Sequence, residues 1–269
     1  MNGPLKWHGG KHYLAPKIVA LMPPRTEWCH YVEPYFGGGA VLLANDPEGI
    51  SEVVNDLDVG LTNFWRVLQH PNLFENFRRA CHATPFSERE YALAVKETSK
   101  LPWDQAHAFF VHCRQSMSGR MKCFSPITKR RTRAGMNEQA SAWLSAVEGL
   151  PAVHARLKRV DILGPKPALE VIRQQDGDKT LFYLDPPYLD ETRTSKDVYA
   201  HEMTDADHEA LLTALNSIQG KFMLSGYHSK MYNEWALQSN FTCHEFDLPN
   251  NSAGGKEKRR MTECVWTNY

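Results

Sequence analysis

The sequence predicts an α/β fold with a mainly parallel sheet that ends in an antiparallel hairpin. Three observations support this prediction. The 269 residues are 42% apolar and 23% charged, which is typical of one large globular domain. Short apolar runs rich in β-branched and aromatic residues alternate with segments whose apolar residues recur at helical spacing. Two final apolar runs flank a turn rich in Gly, Lys and Arg, as in a hairpin.

The predicted elements follow one another in simple alternation. The segment over 204–218 has Thr204 as its N-cap, with Asp207 three residues later. Strands are predicted over 31–33, 52–56, 160–163, 180–184, 222–225, 241–248 and 261–268. Helices are predicted over 40–44, 57–68, 105–113, 140–147 and 204–218.

The stretch 72–156 interrupts this alternation with amphipathic helices. We therefore predict two parts, a core domain made of residues 1–71 and 157–269, and an insertion of residues 72–156 between the second and third core strands. No apolar run approaches the roughly 18 residues of a membrane span, and the N-terminus does not resemble a signal peptide. We therefore expect no membrane association.

The charge of the chain is balanced overall but uneven along it. The 31 basic and 31 acidic residues cancel, yet residues 105–137, called here the basic window, contain no acidic residue. Such segregation creates a positive face that attracts a polyanion. A solvated surface loop is an equally good interpretation of this feature alone. The basic residues of the window are Arg114, Arg120, Lys122, Lys129, Arg130, Arg131 and Arg133.

The cysteines and histidines predict no metal site. Six cysteines are scattered without a C-x-x-C pair, which favours free thiols over a disulfide framework or a zinc site. His8 and His12 have a spacing that can bind zinc, but no third ligand lies nearby in the sequence.

A glycine-rich turn, residues 37–39, follows the first predicted strand. Glycine there lets a ligand approach the backbone closely. Leu42 rules out a dinucleotide fingerprint and Leu5 a P-loop, because each stands where that motif needs glycine or another small residue. A nucleoside-bearing ligand remains, with Asp56 placed to accept hydrogen bonds from ribose hydroxyls. A structural turn with a surface aspartate is as good an interpretation at this point.

The run Asp185-Pro186-Pro187-Tyr188 follows a buried strand, at the end where open α/β sheets bind ligands. Two successive prolines stiffen this loop. An exocyclic purine amine is a poor nucleophile because its lone pair is delocalised into the ring. The Asp185 carboxylate and the Pro186 carbonyl could accept its two N–H bonds and free that lone pair, while Tyr188 stacks on the base.

Four blocks in this order resemble the Dam-like (D12 class) DNA adenine-N6 methyltransferases, which use S-adenosylmethionine. They are KWHGGK at 6–11, VEPYFGGG at 32–39, ND at 55–56 and DPPY at 185–188. The resemblance implies a Rossmann-like methyltransferase fold with a helical DNA-recognition insertion, where the basic window lies. The Asp before Pro-Pro-Tyr, in place of Ser, favours adenine over cytosine-N4 as the methyl acceptor.

The resemblance also implies roles for individual residues. Lys11 suits the methionyl carboxylate of the cofactor, and Asp56 suits its ribose. Asp185, Pro186 and Tyr188 are the implied catalytic residues. The implied S-adenosylmethionine contacts are Trp7, Lys11, Glu33, Phe36, Gly37, Gly39, Asp56 and Asp185.

One segment departs from the family pattern. GATC-specific members carry Asn-Arg-x-x-Tyr-Asn-Gly, whereas Met117 and Ser118 replace Tyr and Asn here, so GATC is not carried over. Met117 can still wedge between bases. We predict guanine contacts for Arg114 and Arg120 and phosphate contacts for the basic residues from Lys129 to Arg133. The predicted DNA-binding residues are Arg114, Met117, Ser118, Arg120, Lys122, Arg130, Arg131 and Arg133.

These observations predict a site-specific DNA methyltransferase that transfers a methyl group from S-adenosylmethionine to N6 of an adenine flipped out of duplex DNA. Two alternatives stay open, an RNA base methyltransferase acting on an exocyclic amine and an inactive DNA-binding regulator. We expect a monomer in solution. The alternative is that two copies bind together on DNA. We also expect a bacterial or phage-encoded restriction-modification enzyme in the cytoplasm, associated with the nucleoid, that needs no metal.

Overall fold

The computed structural model describes residues 1–192, 202–249 and 260–269. Single 3-10 turns cover Met117–Gly119 and Asp190–Thr192. The helices are α1 Ala15–Leu21, α2 Ala40–Ala44, α3 Val59–Gln69, α4 Pro71–Ala83, α5 Glu88–Val95, α6 Pro102–Gln115, α7 Glu138–Leu157, α8 Ala168–Gln175, α9 Asp205–Leu215 and α10 Lys230–Gln238. The strands are β1 His30–Glu33, β2 Ser51–Val54, β3 Thr132–Arg133, β4 Met136–Asn137, β5 Val160–Ile162, β6 Thr180–Leu184, β7 Lys221–Tyr227, β8 Thr242–Pro249 and β9 Arg260–Thr267.

The chain forms two compact units, each built from several stretches of sequence. The first unit contains the whole predicted insertion, residues 72–156, and groups it with the N-terminal segment, α2 and α3. The division of the chain into catalytic and DNA-recognition parts stays a prediction. The first unit comprises Met1–Val19, Gly37–Asp46 and Asp58–Ile162, and the second comprises Ala20–Phe36, Pro47–Leu57 and Leu163–Tyr269.

The second unit is built on a mixed sheet, in which six of its strands have the order β2-β1-β6-β7-β9-β8. Strand β1 pairs in parallel with β2 and β6, and β6 pairs in parallel with β7. Strand β9 is antiparallel to both β7 and β8. The predicted fold class, a mainly parallel sheet closed by an antiparallel hairpin, is therefore confirmed.

Burial explains why this sheet forms as it does. Every residue of β6 is buried, as expected for a continuous apolar run covered on both faces. Phe182 and Leu184 of β6 pack with Phe222 and Leu224 of β7 in one core cluster. The predicted cap of α9 is present, because the Thr204 and Asp207 side chains bond each other's backbone amides reciprocally.

The first unit packs α3, α4, α6 and α7 around an aromatic cluster. The Phe64 ring stacks on Phe110 at 5.8 Å between centroids and meets Phe77 edge-on at 5.9 Å. Trp143 of α7 lies 5.2 Å from Phe110. These four rings are all buried, and together they give this unit a core of its own.

The structure differs from the predictions in several places, and the sequence analysis gave no bounds for helices α1, α4, α5, α8 and α10. Strand β2 ends at Val54, so Asn55 and Asp56 follow the strand instead of belonging to it. The short hairpin of β3 and β4 was not predicted, since two-residue strands leave no periodic signal. The predicted Gly, Lys and Arg turn of the C-terminal hairpin lies within 250–259, outside the described residues. Across the part of the chain that the structure describes, no helix has the length and apolarity needed to cross a bilayer.

Candidate active site

The Asp-Pro-Pro-Tyr run directly follows β6, so a fully buried strand fixes its starting point. Asp185 is half-buried, and Pro186 and Tyr188 are buried. The Tyr188 hydroxyl lies 3.2 Å from Asp185 Oδ1. The same hydroxyl donates a short hydrogen bond to Oε1 of Glu263, on β9. The phenol therefore faces two carboxylates, one directly after β6 and one on β9.

The surroundings of Tyr188 keep its hydroxyl protonated. Burial raises the pKa of Tyr188 well above its usual value, and the neighbouring Asp185 and Glu263 carboxylates raise it further. A protonated phenol is a hydrogen-bond donor, which suits a group placed between two acceptors. The ring packs edge-to-face against Tyr227 of β7, with 4.8 Å between the ring centroids. Both ends of the Tyr188 side chain are thus held.

Glu263 is a residue of the candidate site that the sequence analysis missed. It lies on the last strand, 75 positions after Tyr188 in the chain, and its side chain is buried. The available signal was an acidic residue directly before the apolar run Cys264-Val265-Trp266. A carboxylate in such a strand needs a buried donor, but the sequence does not say which one.

A second cluster of predicted residues lies at the ends of β1 and β2. Glu33 is buried and accepts a hydrogen bond of 2.8 Å from the Tyr31 hydroxyl. Burial raises the pKa of Tyr31, and Glu33 adds to that rise. Phe36, also buried, donates its backbone N–H to the Asn55 carbonyl at 2.9 Å. Asp56 follows Asn55 and is half-buried.

Asn55 organises these strand ends, a role that the sequence analysis did not assign. Its amide nitrogen donates to the carbonyls of Pro34, at 3.1 Å, and Lys166, at 3.0 Å. Its amide oxygen accepts the Lys166 backbone N–H at 3.2 Å. One side chain therefore joins the loop after β1, the end of β2 and the segment before α8, and it fixes the backbone next to Asp56.

The glycine turn lies in the first unit, where Trp7 packs on it. Gly37 and Gly39 have φ of +50° and +67°, a region that favours glycine. A Cβ atom on Gly38 would lie 2.8 Å from Trp7 Cβ, and one on Gly37 would lie 3.1 Å from Trp7 Nε1. The Trp65 indole donates to the Gly37 carbonyl at 3.0 Å. The structure thus brings together Trp7, Gly37 and Gly39, and their contact with S-adenosylmethionine stays a prediction.

Lys11 lies four residues after Trp7 and is half-buried. Its ammonium group donates to the Gly9 carbonyl at 3.0 Å, which bends the side chain back along its own segment. An ammonium group held in this way keeps its charge near the backbone of the N-terminal block, residues 6–11.

The basic window is mostly at the surface. Met117 is 47% exposed, and Ser118 has a positive φ of 57° in the tight turn. Arg114 differs from the rest, because it is half-buried and its Nη2 donates to the Ala142 carbonyl at 2.7 Å. Arg131 lies 3.7 Å from Glu138 in an exposed ion pair. The exposed basic residues of the window are Arg120, Lys122, Lys129, Arg130, Arg131 and Arg133.

The turn at Met117–Gly119 packs against the backbone of Lys6. Gly119 has φ of +70°, and a Cβ atom there would lie 1.7 Å from the Lys6 carbonyl oxygen. The Cys113 thiol donates to the same carbonyl at 3.4 Å, and Lys6 Nζ donates to the Ser116 carbonyl at 3.3 Å. The structure therefore joins the N-terminal block to the segment that departs from the family pattern.

The model of the family described as D12 class N6 adenine-specific DNA methyltransferase matches residues 7–140 and 154–248. The chain belongs to this family. It is also 26% identical to the Type II methyltransferase M1.LlaDCHI of Lactococcus lactis subsp. cremoris, over 98% of this chain and 94% of that protein. The predicted family is confirmed. Glu263 lies beyond the matched residues.

As a D12 class methyltransferase, the chain is an enzyme that methylates N6 of adenine in DNA in a site-specific manner. Membership of a methyltransferase family implies S-adenosylmethionine as the methyl donor. The family assignment favours DNA over an RNA base as the substrate, and an enzyme over an inactive regulator.

Proposed function

We propose that this D12 class enzyme binds an adenine flipped out of duplex DNA with the Asp-Pro-Pro-Tyr run and methylates it there. The observation that carries the proposal is the way Tyr188 is held. Its ring packs on Tyr227 and its hydroxyl contacts Asp185 and Glu263. A rigid carboxylate and a rigid ring in fixed relation suit a purine amine, because orientation of the reacting atoms supplies much of the rate enhancement.

The residues of the glycine turn suit S-adenosylmethionine. The backbone at Gly37 and Gly38 has no side chain, and Trp7 fills the space that a Cβ would need. Asp56 follows a strand that Asn55 anchors, in the place where a carboxylate can accept ribose hydroxyls. The proposed cofactor contacts are Trp7, Lys11, Glu33, Phe36, Gly37, Gly39, Asp56 and Asp185.

In the proposed reaction, Asp185 and the Pro186 carbonyl accept hydrogen bonds from the two N–H bonds of adenine N6. This pulls the amine toward a tetrahedral shape and exposes its lone pair. Bound S-adenosylmethionine supplies an activated methyl group on its sulfonium. The methyl group would pass from the sulfonium to N6, leaving S-adenosylhomocysteine, and the proton lost from N6 would pass to solvent water. Asp185 acts here by orientation and polarisation, and the transfer needs no metal ion because the methyl group is already activated.

The proposed DNA contacts come from the basic window. The exposed side chains of Arg130, Arg131 and Arg133, on and beside the β3–β4 hairpin, suit phosphate contacts, which position DNA but carry little information about its bases. Met117, Ser118 and Arg120 lie on the exposed turn and suit base contacts. Arg114 donates a hydrogen bond to the Ala142 carbonyl. In this proposal it therefore holds α6 against α7 as well as contacting DNA. Lys122 completes the proposed set.

We further propose that the enzyme is a monomer in solution that modifies host or phage DNA in the bacterial cytoplasm, alongside the nucleoid. The homology to a Type II methyltransferase supports a restriction-modification context. Two copies on DNA would suit a palindromic target, because each strand then presents one adenine.

The first prediction tests the role of Asp185. Asp185→Ala should lower kcat for methyl transfer to duplex DNA roughly 100- to 1000-fold, because a preorganised electrostatic contact to the reacting group is lost. DNA affinity, measured by fluorescence anisotropy, should stay within about twofold, since the basic window is intact.

Asp190→Ala is the matched control, because Asp190 is an exposed aspartate five residues further along the same segment. Its transfer rate should equal that of the wild type. Full activity of Asp185→Ala, or methylated cytosine in the product DNA, would contradict the proposed function.

A further inference from the structure

Three metal-ligating side chains meet in the second unit, away from the Asp-Pro-Pro-Tyr run. They are His228, Cys243 and Cys264, and a potential ligand atom from each lies within 4.8 Å of the other two. The two sulfur atoms are hydrogen-bonded to each other. His228 and Cys243 are exposed, whereas Cys264 is buried, so the cluster is reachable from solvent on one side.

Strand pairing explains why these residues converge. Cys264 on β9 pairs directly with Glu245 on β8, and Cys243 pairs with Trp266, so all four side chains share one face of the sheet. On β7, the partner of Cys264 is Gly226, which has no side chain. His228 follows two residues later on the same face, and its ring meets Trp266 edge-on at 6.3 Å.

The histidine ring is oriented by a further contact. His228 Nδ1 lies 2.9 Å from Asn233 Oδ1, an oxygen that can only accept, so Nδ1 carries a proton. His228 Nε2 lies 3.1 Å from Glu245 Oε1. The Nε2 nitrogen and the two sulfur atoms therefore lie close together, and Nε2 must give up its proton to Glu245 or solvent before it can bind a metal. A hydrogen bond from the outer nitrogen of a ligating histidine to a protein acceptor is typical of metal sites.

We propose that His228 Nε2, Cys243 and Cys264 bind a zinc ion, and that the Glu245 carboxylate, which lies 3.1 Å from His228 Nε2, turns inward as the fourth ligand. Two thiolates and an imidazole select zinc among the common biological divalent cations. In a tetrahedral zinc site the ligand atoms lie roughly 3.5 Å apart. The exposed His228 and Cys243 side chains need only small rotations to reach that spacing.

The zinc ion would stabilise the backbone next to the two residues that contact Tyr188. Tyr227 and Glu263, which contact Tyr188, directly precede His228 and Cys264 in the chain and project from the other face of the sheet. Joining β7, β8 and β9 through one ion stabilises the backbone from which both residues extend. The site is structural, and it does not depend on the proposed course of methyl transfer.

The experiment measures zinc in the full-length enzyme. The protein is purified under reducing conditions, incubated with zinc chloride and desalted, and zinc is then measured by elemental analysis. We expect one zinc ion per chain and a rise in Tm relative to protein treated with a chelator. Cobalt chloride in place of zinc should give a thiolate-to-cobalt charge-transfer band.

Cys243→Ser and His228→Ala should each abolish the retained zinc, the cobalt band and the zinc-dependent rise in Tm. Both side chains are exposed, so these variants should fold. Cys123→Ser is the control, because Cys123 is also exposed but lies in the first unit, and it should bind zinc normally. Retention of zinc by Cys243→Ser, or no zinc in the wild type, would overturn the proposal. A mass loss of two hydrogens without zinc binding would instead identify a Cys243–Cys264 disulfide and also overturn it.

Discussion

Tyr188 shows how much one side chain depends on its neighbours. A stacking residue needs a fixed ring plane, and a phenol with a free hydroxyl could rotate and tilt. Here the hydroxyl is bonded to Glu263 and lies 3.2 Å from Asp185. Because burial and both carboxylates raise the pKa of Tyr188, the hydroxyl keeps its proton throughout the physiological range. If Tyr188 stacks on the base as proposed, Glu263 is a positioning residue that acts through it.

The second prediction concerns this contact. Glu263→Gln should lower kcat roughly fivefold, because a hydrogen bond to a charged acceptor is about 1 kcal/mol stronger than one to a neutral acceptor. Tyr188→Phe removes the donor of the same hydrogen bond. The double variant should therefore be no slower than Tyr188→Phe alone in steady-state assays of methyl transfer.

Glu209→Gln, an exposed position on α9, serves as the control and should leave kcat unchanged. The double variant could instead lose rate by the product of the two single losses. The two residues would then act independently, and the positioning role of Glu263 would be wrong.

The residues of the site differ in how well the sequence could predict them. Asp185 and Tyr188 could be predicted because a local run places both at the end of one strand. Glu263 could not, because its partner is 75 residues away and only the β7–β9 pairing brings them together. The three proposed zinc ligands could not be predicted for the same reason. They come from β8, β9 and the residue after β7, and they form no local spacing motif.

At the scale of elements, the glycine turn before α2 is defined as much by Trp7 as by its own backbone. Trp7 fills the volume beside Gly37 and Gly38, and Trp65 holds the Gly37 carbonyl. A turn packed on both sides in this way keeps one conformation, which suits a backbone that a ligand approaches closely.

The third prediction follows from this packing. Gly38→Ala should weaken S-adenosylmethionine binding about tenfold or more in calorimetry, because its new Cβ would lie 2.8 Å from Trp7 Cβ and displace the indole. Gly149→Ala is the matched control, since Gly149 lies within α7 with nothing within 4 Å of a Cβ.

The control should leave cofactor affinity unchanged and raise stability by roughly 0.5–1 kcal/mol, as expected for alanine in place of glycine inside a helix. Equal cofactor affinity in Gly38→Ala and the wild type would show that Trp7 and the glycine turn do not shape the binding site.

Within the described residues, all seven strands of the large sheet and five of the ten helices correspond to segments predicted from periodicity, whereas most of their ends could not be predicted. Strand β6 matches its predicted bounds because five successive buried residues meet a proline run. Helix α7 extends ten residues beyond the predicted 147, through Pro151, because tertiary packing of Leu150 and Val153 outweighs the local cost of proline. The β3–β4 hairpin depends on Gly135 at φ +75° and leaves no hydrophobic pattern.

At the scale of the whole molecule, the segregation of charge is the feature that an overall net charge of zero conceals. The basic window belongs entirely to the first unit, and six of its seven basic side chains are exposed. Exposed arginines interact weakly with single partners in water but act together on a polyanion.

The fourth prediction uses salt to count these contacts. Arg130→Ala combined with Arg131→Ala should flatten the plot of log K against log salt for duplex DNA by roughly two units, one for each lost phosphate contact. Lys96→Ala combined with Lys100→Ala removes two exposed charges of the same unit outside the window. That control should retain the wild-type slope, and an equal loss in both double variants would show that no particular surface binds DNA.

The contact of Gly119 with the Lys6 carbonyl has a consequence for chimeras that exchange the proposed base-contacting turn between relatives. A chimera that receives a foreign 113–119 segment must keep glycine at 119, since any side chain there would collide with main chain. The segment around residue 6 must also fit the transplanted turn, because Cys113 and Ser116 are hydrogen-bonded to Lys6 as well. Swaps that transplant both stretches together should express as folded protein more often than swaps of the turn alone.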